Sequence, residues 1–226
     1  MKKIAIIVAG GKGLRMGGDL PKQFIPIAGK PLLMHTLQRF YDAVPDVERY
    51  LVLPEEHIAC WQELCKKYRF NLPCRLVKGG ATRFHSVKNG LDALTETEGI
   101  VAIHDGVRPF PSKKLIVEAF AKAEEKGAVI PVMPVTETLR QLNEKGSAVV
   151  DRNLYRLVQT PQVFKLDWLK EAYKQPYNAL FTDDASVVEA TGKGVSLIEG
   201  NRENIKITHP EDLLWAEGYL ESGRIS

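Results

Sequence analysis

The chain predicts an α/β fold: a Rossmann-like, mostly parallel sheet with helices on both faces and a protruding β-arm. Three observations carry this expectation. The apolar run Ile4-Ala5-Ile6-Ile7-Val8 reads as a strand buried on both faces, and it leads directly into the glycine-rich segment Ala9-Gly10-Gly11-Lys12-Gly13-Leu14-Arg15-Met16. From Pro31 to Val132, short apolar runs alternate with stretches of helical period, as repeated βα units do. Between about Val135 and Val158 that rhythm breaks, and two strand-like stretches flank Asn143-Glu144-Lys145-Gly146 as in a hairpin.

The elements follow in order. Pro31 suits a first helical turn, and Leu33, Leu37 and Phe40 continue a helix to Val44. Arg49–Leu53 reads as the second strand. Trp61, Leu64, Cys65 and Tyr68 then share one helix face, which makes Cys65 a core residue. A strand near Leu76-Val77 precedes a helix carrying Val87, Leu91 and Leu94, and Ile100–Ile103 is the next strand. Ser112 is the expected N-cap of a helix to Lys126, followed by a strand over Val129–Val132. After the arm, helices are expected beyond Asp167, over Asp183–Thr191 and beyond Pro210, with a strand over Val195–Ile198. The expectation is one domain over residues 1–226, its arm at about 136–159. A two-stranded arm is marginal alone, so a second copy of the chain is the economical support for it.

Bulk properties exclude several classes. The 226 residues carry Lys+Arg 31 against Asp+Glu 28, a net charge of +3 and no large basic field for nucleic acid. Three cysteines, Cys60, Cys65 and Cys74, form no CxxC pair, so neither a disulfide framework nor a zinc site is expected and a reducing cytoplasm fits. The chain opens on a short strand rather than a signal peptide, and no apolar stretch reaches membrane-spanning length.

The glycine loop is the first candidate site. It lies at the carboxyl end of a strand, where open α/β sheets bind ligands, and glycines let backbone N–H groups approach an anion. Lys12, Arg15 and, in Leu20-Pro21-Lys22-Gln23-Phe24, Lys22 bring positive charge to the same place, which points to a triphosphate. Met16 breaks the dinucleotide fingerprint and Gly13 breaks the Walker pattern, so a simple NAD enzyme or a P-loop NTPase is disfavoured. An ordinary βα turn is the bland alternative.

Four further polar segments join it. Lys78-Gly79-Gly80-Ala81-Thr82-Arg83-Phe84-His85-Ser86 offers backbone N–H groups and the Ser86 hydroxyl to a base, against the plain reading of a turn with a solvated Arg83. His104-Asp105-Gly106-Val107-Arg108-Pro109 sets a carboxylate and an arginine directly after a buried strand, to meet a hydroxyl or metal ion or simply to pair with each other. Arg152 lies at the arm's base, with Gln159-Thr160-Pro161-Gln162 beyond it. Thr182 or Asp183 suits a helix cap, while Lys206, between Ile205 and Ile207, is expected to point into the cleft from a strand. The five histidines make no spaced metal pair and receive no role.

No Ser-His-Asp or Cys-His arrangement is evident, whereas cations abound. A phosphate monoester, with a second pKa of about 6, is already a nucleophile at neutral pH. Its attack on a nucleotide needs positive groups that position two anions and stabilise the charge on phosphorus, a task for Lys, Arg and Mg²⁺.

In this order the segments resemble the 2-C-methyl-D-erythritol 4-phosphate cytidylyltransferase family of non-mevalonate isoprenoid synthesis over almost the whole chain. The motifs are a glycine loop ending in Arg-Met, Pro-Lys-Gln, Gly-Gly running to Ser-Val, His-Asp-x-x-Arg-Pro, Arg-Asn before Thr-Pro-Gln, Thr-Asp-x-Ala-Ser and Asn-Ile-Lys. The resemblance implies transfer of CMP from CTP to methylerythritol phosphate, with release of pyrophosphate and a requirement for Mg²⁺. It implies catalytic roles for Arg15, Lys22, Arg152 and Lys206, and nucleotide contacts from Ala9, Gly10, Gly11, Lys12, Gly13, Gly80, Ser86 and Asp105. Asp105, Arg108, Arg152, Thr160, Thr182 and Lys206 would face the second substrate, and Asp105 would assist the metal. Arg152 would reach across from the partner of a homodimer joined through the arm.

One departure bears on the substrate. The family often has two alanines where this chain has Gly106-Val107, and a valine there also occurs in related ribitol-phosphate cytidylyltransferases. Asp151-Arg152-Asn153 and Thr182-Asp183-Asp184-Ala185-Ser186 resemble the methylerythritol type. Ribitol 5-phosphate is therefore the runner-up, and a CTP-binding sensor that does not turn over is the reading from another class.

Overall fold

The computed structural model describes residues 1–10, 20–144 and 146–223. Strand β1 (Lys3–Val8) leads through a buried 3-10 turn at Lys22–Phe24 to a two-residue ribbon, β2 (Pro26–Ile27) and β3 (Lys30–Pro31). Helix α1 (Leu32–Ala43), β4 (Glu48–Leu53), α2 (Glu55–Tyr68), β5 (Arg75–Lys78), α3 (Arg83–Asp92), β6 (Ile100–Asp105), α4 (Lys113–Lys126) and β7 (Ala128–Pro134) follow. The arm is β8 (Arg140–Asn143) and β9 (Gly146–Val149), after which come β10 (Arg156–Val158), β11 (Gln162–Lys165), α5 (Leu166–Ala172), α6 (Asp184–Glu189), β12 (Ser196–Glu199) and α7 (Pro210–Glu221).

Among the described residues, eight strands build the main sheet. β5, β4, β1 and β6 are consecutive and parallel, with Ile6 opposite Tyr50 on one side and Ile103 on the other. β11 is antiparallel to both β6 and β7, β10 is antiparallel to β7, and β12 is parallel to β7. The sheet is therefore mixed and mostly parallel, as expected in class. The two antiparallel strands were not expected: Leu157-Val158 and Val163-Phe164 are too short, and too close to Pro161, to carry a period.

The period-2 pleat sorts β1 between two cores. Ile4, Ile6 and Val8 pack with Val87, Leu91, Phe164 and Leu169 on one face, while Ala5 and Ile7 pack with Leu37, Phe40, Trp61, Ile116 and Phe120 on the other. Cys65 packs at the edge of the second core as expected, and all three cysteines are free thiols. A third cluster joins Ile27, Leu32, Val107, Phe110 and Ile207 beneath α7.

The local signals also resolve. Ser112 caps α4 by accepting from Leu115 N at 3.1 Å, and Asp183 caps α6 with a reciprocal capping box. The arm is narrower than expected, because Arg156–Val158 belongs to the main sheet and the ribbon spans only 140–149. Every described residue of its two strands is exposed. Among the described residues, no helix is long and apolar enough to cross a membrane.

Candidate active site

The carboxyl ends of β1, β4, β5 and β6 converge, and short hydrogen bonds lock their loops together. Ala9 N donates to Val52 O at 3.0 Å, Gly79 N to Leu53 O at 2.8 Å and Gly106 N to Val8 O at 2.8 Å. The buried Gln23 amide donates to Ala9 O at 3.0 Å, and Phe24 stacks on Trp61, so the Lys22–Phe24 turn is anchored in the core. Lys22 is consequently held under the cleft, its ammonium 3.3 Å from the carbonyl of Ile207.

Two adjoining cavities result. One of about 310 Å³ is lined by Ala9, Gly10, Lys22, Gly80, Ser86 and Val107. The other, about 280 Å³, is lined by Arg108, Gln159, Thr160, Gln162, Thr182 and Asp183. Arg83, Asp105 and Lys206 line both. Two larger cavities, one beside Arg39 and Trp215 and one beside Trp61 and Cys65, each carry a single cation and no such convergence.

Asp105 is the electrostatic centre. Its carboxylate meets Lys206 at 2.9 Å and Arg83 and Arg108 at 3.4 Å each. Burial alone would raise its pKa, but Arg83, Lys206 and Arg108 reverse this and hold it well below the usual carboxylate range. Arg83 also meets Asp184 at 2.7 Å, and these two carboxylates outweigh burial and keep the guanidinium charged. Asp184 in turn accepts from Tyr173 Oη at 2.6 Å, while the Gln162 amide spans Asp183 Oδ2 and the backbone N–H groups of Asp184 and Ala185.

The loop between β12 and α7 closes the other side. Arg108 donates to Asn204 O at 2.8 Å, Asn204 to Thr160 O at 2.7 Å and Ile207 N to Val107 O at 2.9 Å. Lys206 does point into the cleft, but from this irregular loop: residues 200–209 form no strand, and side-chain anchors replace a ladder. On the nucleotide side, Gly80 N donates to Ser86 Oγ at 3.1 Å. A Cβ at Gly80 would lie 2.4 Å from that of His85, so only glycine fits there.

Gly106 is equally constrained, because a Cβ there would sit 2.8 Å from Ala9 Cβ and 3.0 Å from Leu33 Cδ1. Gly106→Ala is therefore expected to destabilise this chain by about 1–3 kcal/mol through overpacking, checked by thermal or urea unfolding. An unchanged midpoint would mean that the Val8–Gly10 turn moves freely.

Of the residues picked from sequence, the structure brings Ala9, Gly10, Lys22, Gly80, Ser86, Asp105, Arg108, Thr160, Thr182 and Lys206 to these cavities. Gly11, Lys12, Gly13 and Arg15 lie outside the described residues. Arg152 reaches neither cavity of its own chain: it sits in the 3-10 turn Arg152–Leu154 and donates to Thr136 O. Arg83 was missed, since nothing local marks a residue whose partners are 22 and 101 positions away.

The family model for 2-C-methyl-D-erythritol 4-phosphate cytidylyltransferase (IspD) matches residues 3–222. Relatives bearing that enzyme name include one from Phocaeicola vulgatus, 57% identical over 96% of this chain and 99% of its own, and one from Porphyromonas gingivalis, 54% identical over 98% and 99%. Among solved structures, the Thermus thermophilus enzyme of the same name superposes with a TM-score of 0.78 at 34% identity, covering 98% of this chain and all of its own. A 4-diphosphocytidyl-2C-methyl-D-erythritol synthase from Anaerococcus prevotii gives 0.82 at 29% identity, covering 97% and 96%. With the cation-lined double cavity and a match over nearly its whole length, this chain belongs to the 2-C-methyl-D-erythritol 4-phosphate cytidylyltransferase family.

Proposed function

We propose that the two cavities hold CTP and 2-C-methyl-D-erythritol 4-phosphate side by side, and that the chain transfers CMP between them. Family membership supplies the reaction: a phosphate oxygen of the acceptor attacks the α-phosphorus of CTP, pyrophosphate leaves, and 4-diphosphocytidyl-2-C-methyl-D-erythritol forms for isoprenoid synthesis. The observation that carries the assignment of residues is the sharing of Arg83, Asp105 and Lys206 by both cavities, which sets one charged wall between two anionic substrates.

The nucleotide takes the cavity of Ala9, Gly10, Gly80 and Ser86, where backbone groups and one hydroxyl suit a small pyrimidine. Lys22 holds the triphosphate, and the family motif assigns further nucleotide contacts to Gly11, Lys12, Gly13 and Arg15, which lie outside the described residues. The acceptor takes the cavity of Arg108, Thr160 and Thr182, with Lys206 facing both substrates. Lys22, preorganised by burial, stabilises charge that grows on the α-phosphoryl oxygens at no cost of reorganisation.

The chemistry of the donor set fits Mg²⁺. Among the described residues no three His, Cys, Asp or Glu side chains cluster, and Asp105 is the one carboxylate lining the nucleotide cavity. Mg²⁺ takes one or two carboxylates together with substrate phosphates and water, so Asp105 is the residue that would hold it. When bound, the ion neutralises phosphate charge. Three free cysteines agree with a reducing cytoplasm.

A pyrophosphate-release assay tests the reading. Purified chain with CTP and Mg²⁺ is expected to release pyrophosphate with methylerythritol phosphate and far less with ribitol 5-phosphate. Preference for ribitol phosphate would overturn the acceptor, and CTP binding without release would favour a sensor.

A homodimer through the arm completes the proposal. Leu142 and Leu154 are 82% and 81% exposed, and Val149 and Leu157 lie open beside them. Apolar side chains so placed mark an interaction surface, and a twofold partner would bring Arg152 to the neighbouring acceptor cavity. Lys22→Ala and Arg152→Ala, each inactive alone, are then expected to complement when dissociated and remixed. In a mixed dimer one site carries both lesions and the other neither, so about a quarter of all sites regain full composition on random exchange. Confirmed subunit exchange without recovered turnover would place Arg152 in its own protomer's chemistry or outside the site.

A further inference from the structure

His104 is buried inside the sheet, next to the last residue of β6, with its ring edge-on to Phe40 at 4.9 Å. Its Nε2 lies 2.9 Å from the carbonyl oxygen of Arg108. A carbonyl only accepts, so Nε2 carries the proton. Nδ1 lies 3.0 Å from Thr160 Oγ1, and that oxygen already accepts from Asp105 N at 3.1 Å. In a neutral ring Nδ1 is the acceptor, so the Thr160 hydroxyl gives it its proton. One directed chain results: Asp105 N–H to Thr160 hydroxyl, Thr160 hydroxyl to His104 Nδ1, and His104 Nε2–H to Arg108 carbonyl. It ties both ends of the turn that Arg108 N closes onto Asp105 O at 3.0 Å.

We propose that His104 is a positioning residue for the acceptor cavity, holding the Asp105–Arg108 turn in the shape that aims the Arg108 guanidinium. The proposal rests on the assignment of that cavity to the polyol phosphate. The two partners of the ring nitrogens, a carbonyl and a hydroxyl, suit a neutral imidazole enclosed in the sheet. The chain of bonds also reaches the Lys206 loop, because the Thr160 carbonyl accepts from Asn204 and the Asn204 carbonyl accepts from Arg108. Arg108 lines the acceptor cavity and does not line the nucleotide cavity. Disturbing His104 therefore acts unequally on the two substrates, whereas a histidine that only fills space would weaken both through the fold.

The test compares wild type, His104→Phe and His104→Gln. His104→Phe keeps a ring and removes both hydrogen bonds, while the Gln amide still reaches towards the Arg108 carbonyl. With Phe, KM for methylerythritol phosphate is expected to rise about ten- to a hundredfold, the cost of a displaced binding group, and CTP affinity by calorimetry to fall much less, since of the turn's two ends only Asp105 also lines the nucleotide cavity. Gln is expected to recover part of that loss. Histidine-ring ¹⁵N NMR of the ligand-free wild type reads the tautomer without any turnover, with Nε2 protonated and Nδ1 bare as the expected result. A proton on Nδ1, an equal loss for both ligands, or an unchanged KM would overturn the proposal. Should the Phe variant not fold, Gln and the tautomer decide it. Wild-type turnover of the polyol phosphate is the separate control on the cavity assignment.

Discussion

Lys22→Ala is expected to lower kcat by on the order of 10²–10³ while the protein stays folded, the usual cost of removing one preorganised donor from a site of developing charge. The lysine is 9% exposed, held between the core-anchored turn of Gln23 and Phe24 and the carbonyl of Ile207. Its position is thus set before either substrate arrives, and among the described residues the other two cations lining this cavity, Arg83 and Lys206, are both drawn to Asp105. Steady-state pyrophosphate release gives kcat, and circular dichroism checks the fold. Near-normal turnover in a folded variant would remove Lys22 from the chemistry.

Asp105→Ala is expected to do more harm to the structure itself. Deleting this carboxylate leaves the mostly buried Arg108 without its ion-pair partner, and breaking such a pair costs about 3–5 kcal/mol, whereas Arg83 keeps Asp184 and the partly exposed Lys206 adds little. The sign of the pH effect follows from the depressed carboxyl pKa. Its contribution to stability is fully present above the unfolded-state pKa of about 4 and is lost as pH falls below it. Urea unfolding at neutral pH should therefore show the full difference between wild type and variant, and the difference should narrow in acid. A gap that stays constant with pH would mean that the carboxylate acts by packing and not by charge. Pyrophosphate, an anion for the exposed cations, is expected to restore part of the variant's stability by mass action.

Much was legible in the sequence wherever the physics is local. An unbroken apolar run needs cover on both faces, so β1 reads as a central strand, and its alternating residues do feed two cores. Ser112 and Asp183 cap helices because an oxygen at the right offset meets an orphan N–H, and this depends on three residues of chain. Gly80 is likewise confined by a residue only five positions away, whereas most of the glycine loop, residues 11–19, lies outside the described residues.

Tertiary structure decided what depends on distant partners. The strands at Arg156–Val158 and Gln162–Lys165 exist because β6 and β7 offer edges to pair with, not because their own residues insist on it. Lys206 is aimed by Asn204, Arg108 and Val107 rather than by a strand of its own. Arg83 looks like a solvated arginine until the fold sets Asp105 and Asp184 on either side of it. His104 sits in a sequence motif, but its ring partners, the Arg108 carbonyl and a threonine 56 residues further on, appear only in the fold. Sequence alone determined the class of fold and the chemistry on offer, since both rest on short-range patterns. Which charges meet, and in which direction each hydrogen bond runs, was decided only when the sheet brought residues up to 185 positions apart within hydrogen-bond reach.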